Sequence, residues 1–355
     1  MKILILGVNG FIGSALLRRI LADEAWSVIG VDRHDHRIVD LIKHPRFDFL
    51  QFDLREEHGA IDRLIAQSDV VLPLAAYATP ASYVRDPIGT FELDFEEVLR
   101  VVRRTAQAGS RLIFPSTSEV YGMCKDALFD EADSQFVLGP VHKERWIYAC
   151  SKQLLDRIIW ALGGRSLRFT IFRPFNWFGP GQDDIRSAAP GSSRVVTQFL
   201  GHLLRGEPIK LVGGGTQRRT FTYVDDGIDG LMRILKDDRG VADRQIFNLG
   251  NPANFVSVSD LATMLIEELT AFPADWSQGA AAPSVQVVSG LDYYGAGYED
   301  VVHRRPKIAN ARRLGWSPQI DLRDGLRRML REELSAGDWP SPAAAPPLQT
   351  AAQLG

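Results

Sequence analysis

Short apolar runs alternate with longer amphipathic stretches through the first half of the chain, and this alternation limits the possible folds most strongly. The apolar runs read KILILGV, WSVIGVD, FDFLQFD, VVLPLAA, RLIFPST and FTIFRPF, and QIFNLG follows at residues 245–250. The stretches FIGSALLRRILAD, FELDFEEVLRVVRRTAQ and YACSKQLLDRIIWAL between them have helical periodicity. Strands that are apolar on both faces and alternate with helices are typical of a parallel sheet covered on both sides. We therefore predict an α/β fold with a doubly wound parallel sheet.

The second half of the chain differs in composition. After about residue 177 the alternation weakens, and Gly and Pro become frequent in FGPGQDD, AAPGSS and LVGGGTQ. We predict a first domain of residues 1–176 plus about 221–252, and a smaller interleaved α/β substrate lobe within 177–335. Residues 336–355 are rich in Pro and Ala with little apolar bulk, which predicts a disordered tail.

Composition restricts the class of protein. The chain of 355 residues is 45% hydrophobic, enough for a sizeable core, and its formal net charge of −3 gives no overall attraction for nucleic acid. The first apolar run is too short for a signal peptide or a membrane span. The two cysteines have no metal-ligand spacing, so we expect reduced thiols and no metal. These features predict a cytoplasmic protein that binds neither nucleic acid nor membrane.

A glycine motif follows the first predicted strand. Gly7, Gly10 and Gly13 are spaced three apart at the point where the strand ends and a helix begins. Glycines at such a turn let the backbone approach a pyrophosphate, which the helix N-terminus favours. Asp32 ends the next strand, 19 residues after Gly13, where a carboxylate accepts hydrogen bonds from ribose hydroxyls and repels a 2′-phosphate. The motif therefore predicts a Rossmann-type domain that binds NAD.

Two neighbours of this motif bear on the cofactor. Asp53 ends the third predicted strand, where it either meets the adenine or caps the strand end. Arg33 follows Asp32 and is suited to a 2′-phosphate, which favours NADP and leaves that alternative open.

Tyr148 and Lys152 are four residues apart on a predicted helix and therefore share one face. A nearby ammonium stabilises a phenolate, so we expect Lys152 to lower the pKa of Tyr148 from about 10 toward neutrality. Such a Tyr can take a proton from an alcohol while the carbon gives a hydride to nicotinamide. Thr117 and Ser118 follow an intervening strand, and one of them is expected to hydrogen-bond the reacting hydroxyl.

The motifs GVNGFIG, PSTSEVYG and YACSK together resemble those of the extended short-chain dehydrogenase/reductase superfamily. Glu119 in TSEVYG resembles the acid of nucleotide-sugar decarboxylases and disfavours a 4-epimerase. With FELDFEE, FRPFNWFGP and YYGAGYEDVVHRRP, the chain closely resembles the UDP-glucuronic acid decarboxylase half of the bifunctional polymyxin-resistance enzyme. The resemblance runs from residue 1 to about 335 and covers that half alone, so we expect the chain to act alone on the decarboxylation step.

This resemblance implies roles for matching positions in the chain. Further cofactor contacts are implied for Asn9, Phe11, Ile12 and Leu54. Substrate contacts are implied for Ala78, Tyr83, Arg145, Asn176, Lys210, Gln217, Arg218, Arg219 and Tyr298. Within this set, residues 210–219 are implied to hold the uridine diphosphate, with Arg218 and Arg219 as phosphate partners. Judged by residue type alone, Arg218 and Arg219 also fit a solvated surface pair, Tyr298 fits a packing role, and Arg304 fits a surface cation.

The activity implied is NAD-dependent oxidation of UDP-glucuronic acid at C4 followed by loss of carbon dioxide. Glu119 and Arg304 are then candidates to protonate C5 and to place the carboxylate. The product is UDP-4-keto-pentose; a redox-neutral UDP-xylose synthase, a UDP-sugar 4-epimerase and a non-catalytic NAD-sensing regulator are the alternatives. We also expect a homo-oligomer.

Overall fold

A computed structural model describes residues 1–187, 191–272 and 283–335, and its largest feature is a parallel β-sheet. The strands, in chain order, are β1 Lys2–Leu6, β2 Ser27–Asp32, β3 Phe47–Gln51, β4 Val70–Pro73, β5 Arg111–Pro115, β6 Arg168–Pro174, β7 Trp177–Phe178, β8 Ile209–Val212, β9 Arg218–Thr220, β10 Thr222–Tyr223, β11 Gln245–Leu249, β12 Phe255–Ser257, β13 Val285–Val288 and β14 His303–Arg304. Within the described residues, seven strands form one sheet in the order β11-β6-β5-β4-β1-β2-β3, and every pair in it is parallel. The predicted doubly wound α/β sheet is confirmed.

Helices cover both faces of this sheet. In chain order they are α1 Phe11–Asp23, α2 His58–Ala66, α3 Pro80–Arg85, α4 Pro87–Phe91, α5 Val98–Ala108, α6 Trp146–Gly163, α7 Val195–Leu204, α8 Val224–Leu235, α9 Val258–Thr270, α10 Gly290–Tyr294, α11 Ala309–Arg313 and α12 Leu322–Ser335. Ile3 and Ile5 of β1 belong to the apolar cluster that contains Leu17 of α1, whereas Leu4 belongs to the cluster that contains Ile61 of α2. Alternate residues of a strand point to opposite faces, so β1 is buried on both. None of the helices in the described ranges is both long and apolar enough to span a membrane.

The order of the strands reverses beside β1. From β1 the chain proceeds through β2 to β3 at one edge and then crosses to β4 on the other side of β1. At such a switch point the loops that follow two adjacent strands diverge and leave a crevice at their carboxyl ends, where doubly wound proteins bind ligands. The glycine turn after β1 and the loop after β4 therefore border the expected ligand site.

The predicted helix over residues 91–107 is interrupted in the structure. Its first part belongs to α4, its last part is α5, and a π-helical turn over Glu92–Glu97 joins them. A π turn inserts an extra residue and rotates the residues that follow it, which a regular 3.6-residue pattern does not predict. Asp94 within this turn is completely buried.

Within the described parts of residues 177–304, the structure forms three smaller sheets. They pair β7 with β10, β8 with β13, and β9 with both β12 and β14. Their strands come from the region assigned to the substrate lobe, except β10, which lies inside the 221–252 segment. The division into two interleaved lobes stays a prediction, and the expected disordered tail of 336–355 lies outside the described residues.

Candidate active site

A cavity of about 690 Å³ lies at the carboxyl ends of the central strands. Cavities of this size hold cofactors and small-molecule substrates. The predicted catalytic residues all line it: Thr117, Ser118, Glu119, Tyr148, Lys152 and Arg304. The predicted cofactor residues that line it are Gly7, Gly10, Phe11, Ile12 and Gly13. Residues far apart in the sequence thus meet in one place.

The glycine turn forms the cofactor end of this cavity. Gly7 has a φ of +88°, and a Cβ atom there would lie 2.5 Å from the backbone nitrogen of Ala75. A Cβ atom on Gly13 would collide with the carbonyl oxygen of Gly7. The turn therefore requires glycine, and its bare backbone leads into the N-terminus of α1, which begins at Phe11. This geometry fits the pyrophosphate of a dinucleotide.

Asp32 is fixed beside this turn by backbone groups. Its Oδ2 accepts the N–H of Asn9 at 2.9 Å, and its Oδ1 accepts the N–H of His34 at 3.3 Å. The Asn9 amide in turn bonds the His36 ring at 3.1 Å and accepts the N–H of Arg37 at 2.7 Å. Asn9 therefore holds the carboxylate in place at the end of β2.

Four predicted cofactor residues are not part of the cavity lining that the structure describes: Asn9, Asp32, Asp53 and Leu54. Asp53 accepts bonds from Arg55 at 2.8 Å and faces Arg33 at 3.8 Å. The bonds from Arg55 hold the pKa of Asp53 at about 2. Leu54 packs its side chain into the core. The adenine contacts of Asp53 and Leu54 stay predictions.

Tyr148 and Lys152 lie on the buried face of α6, as predicted. Tyr148 is 8% exposed and Lys152 is 1% exposed. The Lys152 Nζ lies 5.9 Å from the centre of the Tyr148 ring. Lys152 donates to the carbonyl of Pro115 at the end of β5, at 3.2 Å. Thr117 follows this strand end and hydrogen-bonds Tyr148. The strand-end loop and the helix thus meet at the phenol.

The prediction that Lys152 lowers the pKa of Tyr148 toward neutrality is wrong for this structure. Burial raises the pKa of Tyr148 above its ordinary value, and the negative charge of Asp94 raises it further, whereas the Thr117 hydrogen bond opposes the rise. Lys152 is also buried, which lowers the pKa of its own amine. Sharing one helix face was therefore not enough for Lys152 to dominate the titration of Tyr148.

Glu119 lies between two buried guanidinium groups. Its Oε1 is 2.5 Å from Arg304 Nη1, and its Oε2 accepts a bond from Arg145. Burial alone would raise the pKa of Glu119, but Arg304, Arg145 and Arg219 together hold it below its ordinary value. Arg304 is only 4% exposed, so the surface-cation alternative is wrong.

Arg218 and Arg219 are adjacent in the sequence, but their side chains lie in different surroundings. Arg219 is buried in the cavity wall and bonds Asp300 at 2.5 Å. Arg218 is exposed, donates to the carbonyl of Phe255 at 3.0 Å and lies over that ring. Adjacent residues of a strand point to opposite sides, so β9 can present only one of them to the cavity. The structure therefore does not support Arg218 as a phosphate partner.

The remaining predicted substrate residues also line the cavity: Ala78, Tyr83, Arg145, Asn176, Lys210, Gln217 and Tyr298. Arg145 directly precedes α6, and its guanidinium lies 5.5 Å from the centre of the Tyr298 ring. Asn176 has a φ of +39° and donates from its amide to the carbonyl of Thr220 at 2.8 Å. Tyr298 therefore packs beside a cation of the cavity wall rather than in a separate core.

Sequence reasoning missed several groups in this site. Arg37 and Arg194 line the cavity near the glycine turn; Arg37 donates to the carbonyl of Gly181 at 3.0 Å, and Arg194 pairs with Asp183 at 2.8 Å. Asp94 is buried close enough to Lys152 and Tyr148 to act on their pKa values. FELDFEE carries four carboxylates, Glu92, Asp94, Glu96 and Glu97, so the sequence alone does not single out Asp94.

A buried polar network supports the loop that carries Thr117 and Glu119. The Tyr121 hydroxyl donates to Asn248 at 2.9 Å and accepts from Arg173 at 2.8 Å. Arg173 also bonds Asp156 on α6 at 2.8 Å, and Ser116 donates to the same carboxylate at 3.0 Å. The polar residues after β5 therefore divide into those that face the cavity and those that hold the loop.

Solved structures with the same fold are numerous. The chain is 49% identical to the PbgP3 protein from Burkholderia pseudomallei, covering 93% of this chain and 95% of that chain with a TM-score of 0.83. It is 24% identical to MoeE5 in complex with UDP-glucuronic acid and NAD, covering 95% and 100% with a TM-score of 0.76. It is 23% identical to UDP-glucose 4-epimerase from Thermotoga maritima, covering 95% of this chain and 99% of that chain with a TM-score of 0.76. The last two likenesses show the fold alone.

Family membership follows from the sequence match. The sequence model of the NAD dependent epimerase/dehydratase family matches residues 3–250, which is well over half of the chain. The match confirms the resemblance to extended short-chain dehydrogenases/reductases and the predicted NAD cofactor. The chain belongs to the NAD dependent epimerase/dehydratase family.

Proposed function

We propose that this protein oxidises UDP-glucuronic acid at C4 with NAD and then removes the sugar carboxylate as carbon dioxide, giving UDP-4-keto-pentose. The observation that carries the proposal is the cluster in which Arg145 and Arg304 hold Glu119 beside Tyr148. A sugar whose C4 hydroxyl faces Tyr148 carries its C5 substituent one bond further along the ring. The buried guanidinium groups of this cluster therefore suit a carboxylate at C6, the C5 substituent of glucuronic acid.

The charge of this cluster favours an acidic sugar over a neutral one. Arg145, Arg219 and Arg304 are three buried cations, whereas Glu119 and Asp300 supply two carboxylates, so these five groups leave one positive charge. A buried cation without a counter-charge is costly. A glucuronate carboxylate would neutralise it, whereas the hydroxymethyl group of a neutral hexose would not.

The first step is oxidation at C4. Thr117 or Ser118 orients the C4 hydroxyl, and Tyr148 takes its proton. The glycine turn of Gly7, Gly10 and Gly13 would hold NAD, which would supply the acceptor for the hydride that leaves C4 as the hydroxyl becomes a ketone. Lys152, whose Nζ lies 5.9 Å from the centre of the Tyr148 ring, stabilises the phenolate that forms in this transfer.

The second step breaks the bond between C5 and the carboxylate. The ketone at C4 is β to that carboxylate, so the electron pair of the broken bond enters an enolate and carbon dioxide leaves. Tyr148 and Lys152 stabilise the oxygen at C4. A proton must then reach C5. The lowered pKa of Glu119 makes it a poor donor, so we assign that proton to Arg304 or to a water it holds, and Glu119 orients the two guanidinium groups.

Incubation with NAD and UDP-glucuronic acid, followed by mass analysis, tests this function. A product lighter by carbon dioxide and two hydrogens, formed with an equal amount of NADH, is expected. A product lighter by carbon dioxide alone, without NADH, would mean a UDP-xylose synthase. UDP-glucose is the matched control without a carboxylate, and its conversion to UDP-galactose, an isomer of equal mass that NMR distinguishes, would mean a 4-epimerase. Binding of NAD with no turnover on any nucleotide sugar would mean a regulator.

A further inference from the structure

A cation without a carboxylate partner lies at the cofactor end of the cavity. Arg37 lines this cavity together with Gly7, Gly10 and Phe11, and its side chain is half-buried. Within the described residues, no carboxylate oxygen lies within 4.0 Å of its guanidinium nitrogens. A cation that is partly removed from water without a counter-charge is costly. Its place in the cavity wall therefore suits an anionic ligand.

The carboxylates that act on Arg37 from further away are engaged with other groups. Asp183 pairs with Arg194 at 2.8 Å. Backbone N–H groups hold the carboxylate of Asp32, and Glu333 likewise accepts a backbone N–H at 2.7 Å. Burial lowers the pKa of Arg37, and these carboxylates only partly oppose that fall. The positive charge of Arg37 is therefore left largely unbalanced.

Two backbone carbonyls fix the guanidinium of Arg37 in place. Its Nη1 donates to the carbonyl of Asn9 at 3.2 Å, and its Nε donates to the carbonyl of Gly181 at 3.0 Å. The side chain of Asn9 also accepts the backbone N–H of Arg37 at 2.7 Å. An arginine has five N–H groups, so three are left for another acceptor. Because Asn9 directly precedes Gly10, these groups are held beside the glycine turn.

We propose that Arg37 binds the pyrophosphate of NAD through charge-assisted hydrogen bonds. The pyrophosphate is the anionic part of the dinucleotide, and this fold favours it where the glycine turn leads into the N-terminus of α1. A guanidinium that is already anchored and has free N–H groups suits phosphate oxygens and loses little freedom on binding. The inference needs only the NAD cofactor of the family, so it stands whichever sugar the protein oxidises.

Arg37 also borders a second cavity, of about 440 Å³, which is less suited to an anion. Two carboxylates line it, those of Asp225 and Glu332. Its other cations, Arg18 and Arg19, pair with carboxylates of their own. The first cavity offers the backbone of the glycine turn and a helix N-terminus instead, so we assign the free N–H groups of Arg37 to that side.

Titration with two fragments of the cofactor, without any sugar, tests this contact. ADP-ribose contains the pyrophosphate of NAD, whereas adenosine does not. Arg37→Ala should weaken ADP-ribose binding, measured by calorimetry, about 10- to 100-fold, as expected for loss of a hydrogen bond to a charged group. Adenosine affinity, measured by NMR titration, should stay within about twofold. Equal weakening of both ligands would overturn the proposal, because it would mean that the site had lost its shape.

Arg33→Ala is the matched control for Arg37→Ala. Arg33 is on the same loop after β2, faces Asp53 at 3.8 Å and is not part of the cavity lining that the structure describes. Its removal takes away the same charge and should leave the Kd of ADP-ribose within about twofold. An equal loss in both variants would overturn the proposal, because long-range charge would explain it. Arg37→Lys keeps the charge without the fork and should restore part of the affinity.

NADP separates the pyrophosphate from the other phosphate that a cation near Asp32 could meet. Both dinucleotides contain the pyrophosphate, so Arg37→Ala should weaken NAD and NADP by the same factor in calorimetric titrations. A loss confined to NADP would overturn the proposal and would assign Arg37 to the 2′-phosphate.

The unmodified protein gives a test that needs no folded variant. Phenylglyoxal modifies arginine side chains, and mass spectrometry of the digested protein shows which arginines have reacted. Saturating ADP-ribose should protect Arg37 and leave Arg33 reactive, whereas saturating adenosine should protect neither. If Arg37 reacts as fast with ADP-ribose as without it, the proposal is overturned.

Discussion

The rings of Tyr83 and Tyr148 lie face to face, with centroids 4.5 Å apart and planes inclined by only 5°. Tyr83 comes from α3, after the loop that follows β4, whereas Tyr148 is on α6. The stack therefore joins the segment that follows β4, beside the glycine turn, to α6. It holds the plane of the Tyr148 ring, and with it the direction in which the phenol oxygen points.

Tyr83→Leu should lower kcat about tenfold, because an aromatic stack contributes about 0.5–1.5 kcal/mol beyond its buried area. Tyr83→Phe retains the ring and should keep kcat within about twofold of the unmodified protein. Steady-state kinetics of both variants with UDP-glucuronic acid check this. Equal kcat values for the Leu and Phe variants would show that the stack does not orient Tyr148.

Tyr148→Phe should remove most turnover and leave NAD binding nearly unchanged. The phenol transfers the proton of the C4 hydroxyl, and proton transfer of this kind is typically worth about 10²–10⁴-fold in rate. Calorimetric titration with NAD and a turnover assay measure the two effects separately. Activity within a few-fold of the unmodified protein would mean that another group is the base.

Asp32 should make the protein prefer NAD to NADP. Asn9 and His34 hold its carboxylate at the end of β2, where it would repel a 2′-phosphate. Arg33, which could favour that phosphate, faces Asp53 at 3.8 Å. Asp32→Ala should bring the ratio of kcat/KM with NAD to kcat/KM with NADP closer to one. Equal kcat/KM values in the unmodified protein would contradict this assignment.

Arg304→Ala should lose most of its kcat/KM with UDP-glucuronic acid while NAD affinity stays nearly unchanged. The change removes a buried guanidinium from the carboxylate site and raises the pKa of Glu119, because Arg304 is its strongest cationic neighbour. Arg304→Lys should rescue activity only in part, since an ammonium keeps the charge but loses the two-pronged geometry.

Arg218→Ala is the matched control for Arg304→Ala. Arg218 is exposed and bonds Phe255 outside the cavity, so its loss should leave decarboxylation nearly unchanged. Carbon dioxide release and NADH formation are measured for each variant. A wild-type rate in Arg304→Ala would show that the protein handles the sugar carboxylate elsewhere.

The central sheet was predictable from local sequence because its strands are buried on both faces. Runs such as KILILGV and RLIFPST are apolar throughout, and the structure places them at β1 and β5. The helix FIGSALLRRILAD was also predicted with its observed bounds, since its apolar stripe and the glycine turn before it define both face and start. The π turn at Glu92–Glu97 was not predicted, because it depends on packing rather than on periodicity.

The chemistry of the site was less accessible to sequence reasoning. The spacing of Tyr148 and Lys152 correctly predicted one helix face, but their pKa values depend on burial and on Asp94, which other elements supply. The position of Arg218 next to Arg219 does not reveal which side chain faces the cavity, since that depends on the register of β9 with β12 and β14. Glu119 has two guanidinium partners that only the tertiary fold brings together.

The most direct measurement follows the carboxylate itself. UDP-glucuronic acid labelled with ¹³C at C6 is incubated with the protein and NAD, and ¹³C NMR records the labelled carbon with time. The account predicts that this carbon leaves the sugar and appears as carbon dioxide and bicarbonate, as fast as the unmodified protein forms NADH and far more slowly in Arg304→Ala. If the labelled carbon stays on the sugar while NAD is bound and the protein is folded, the proposed decarboxylation is contradicted.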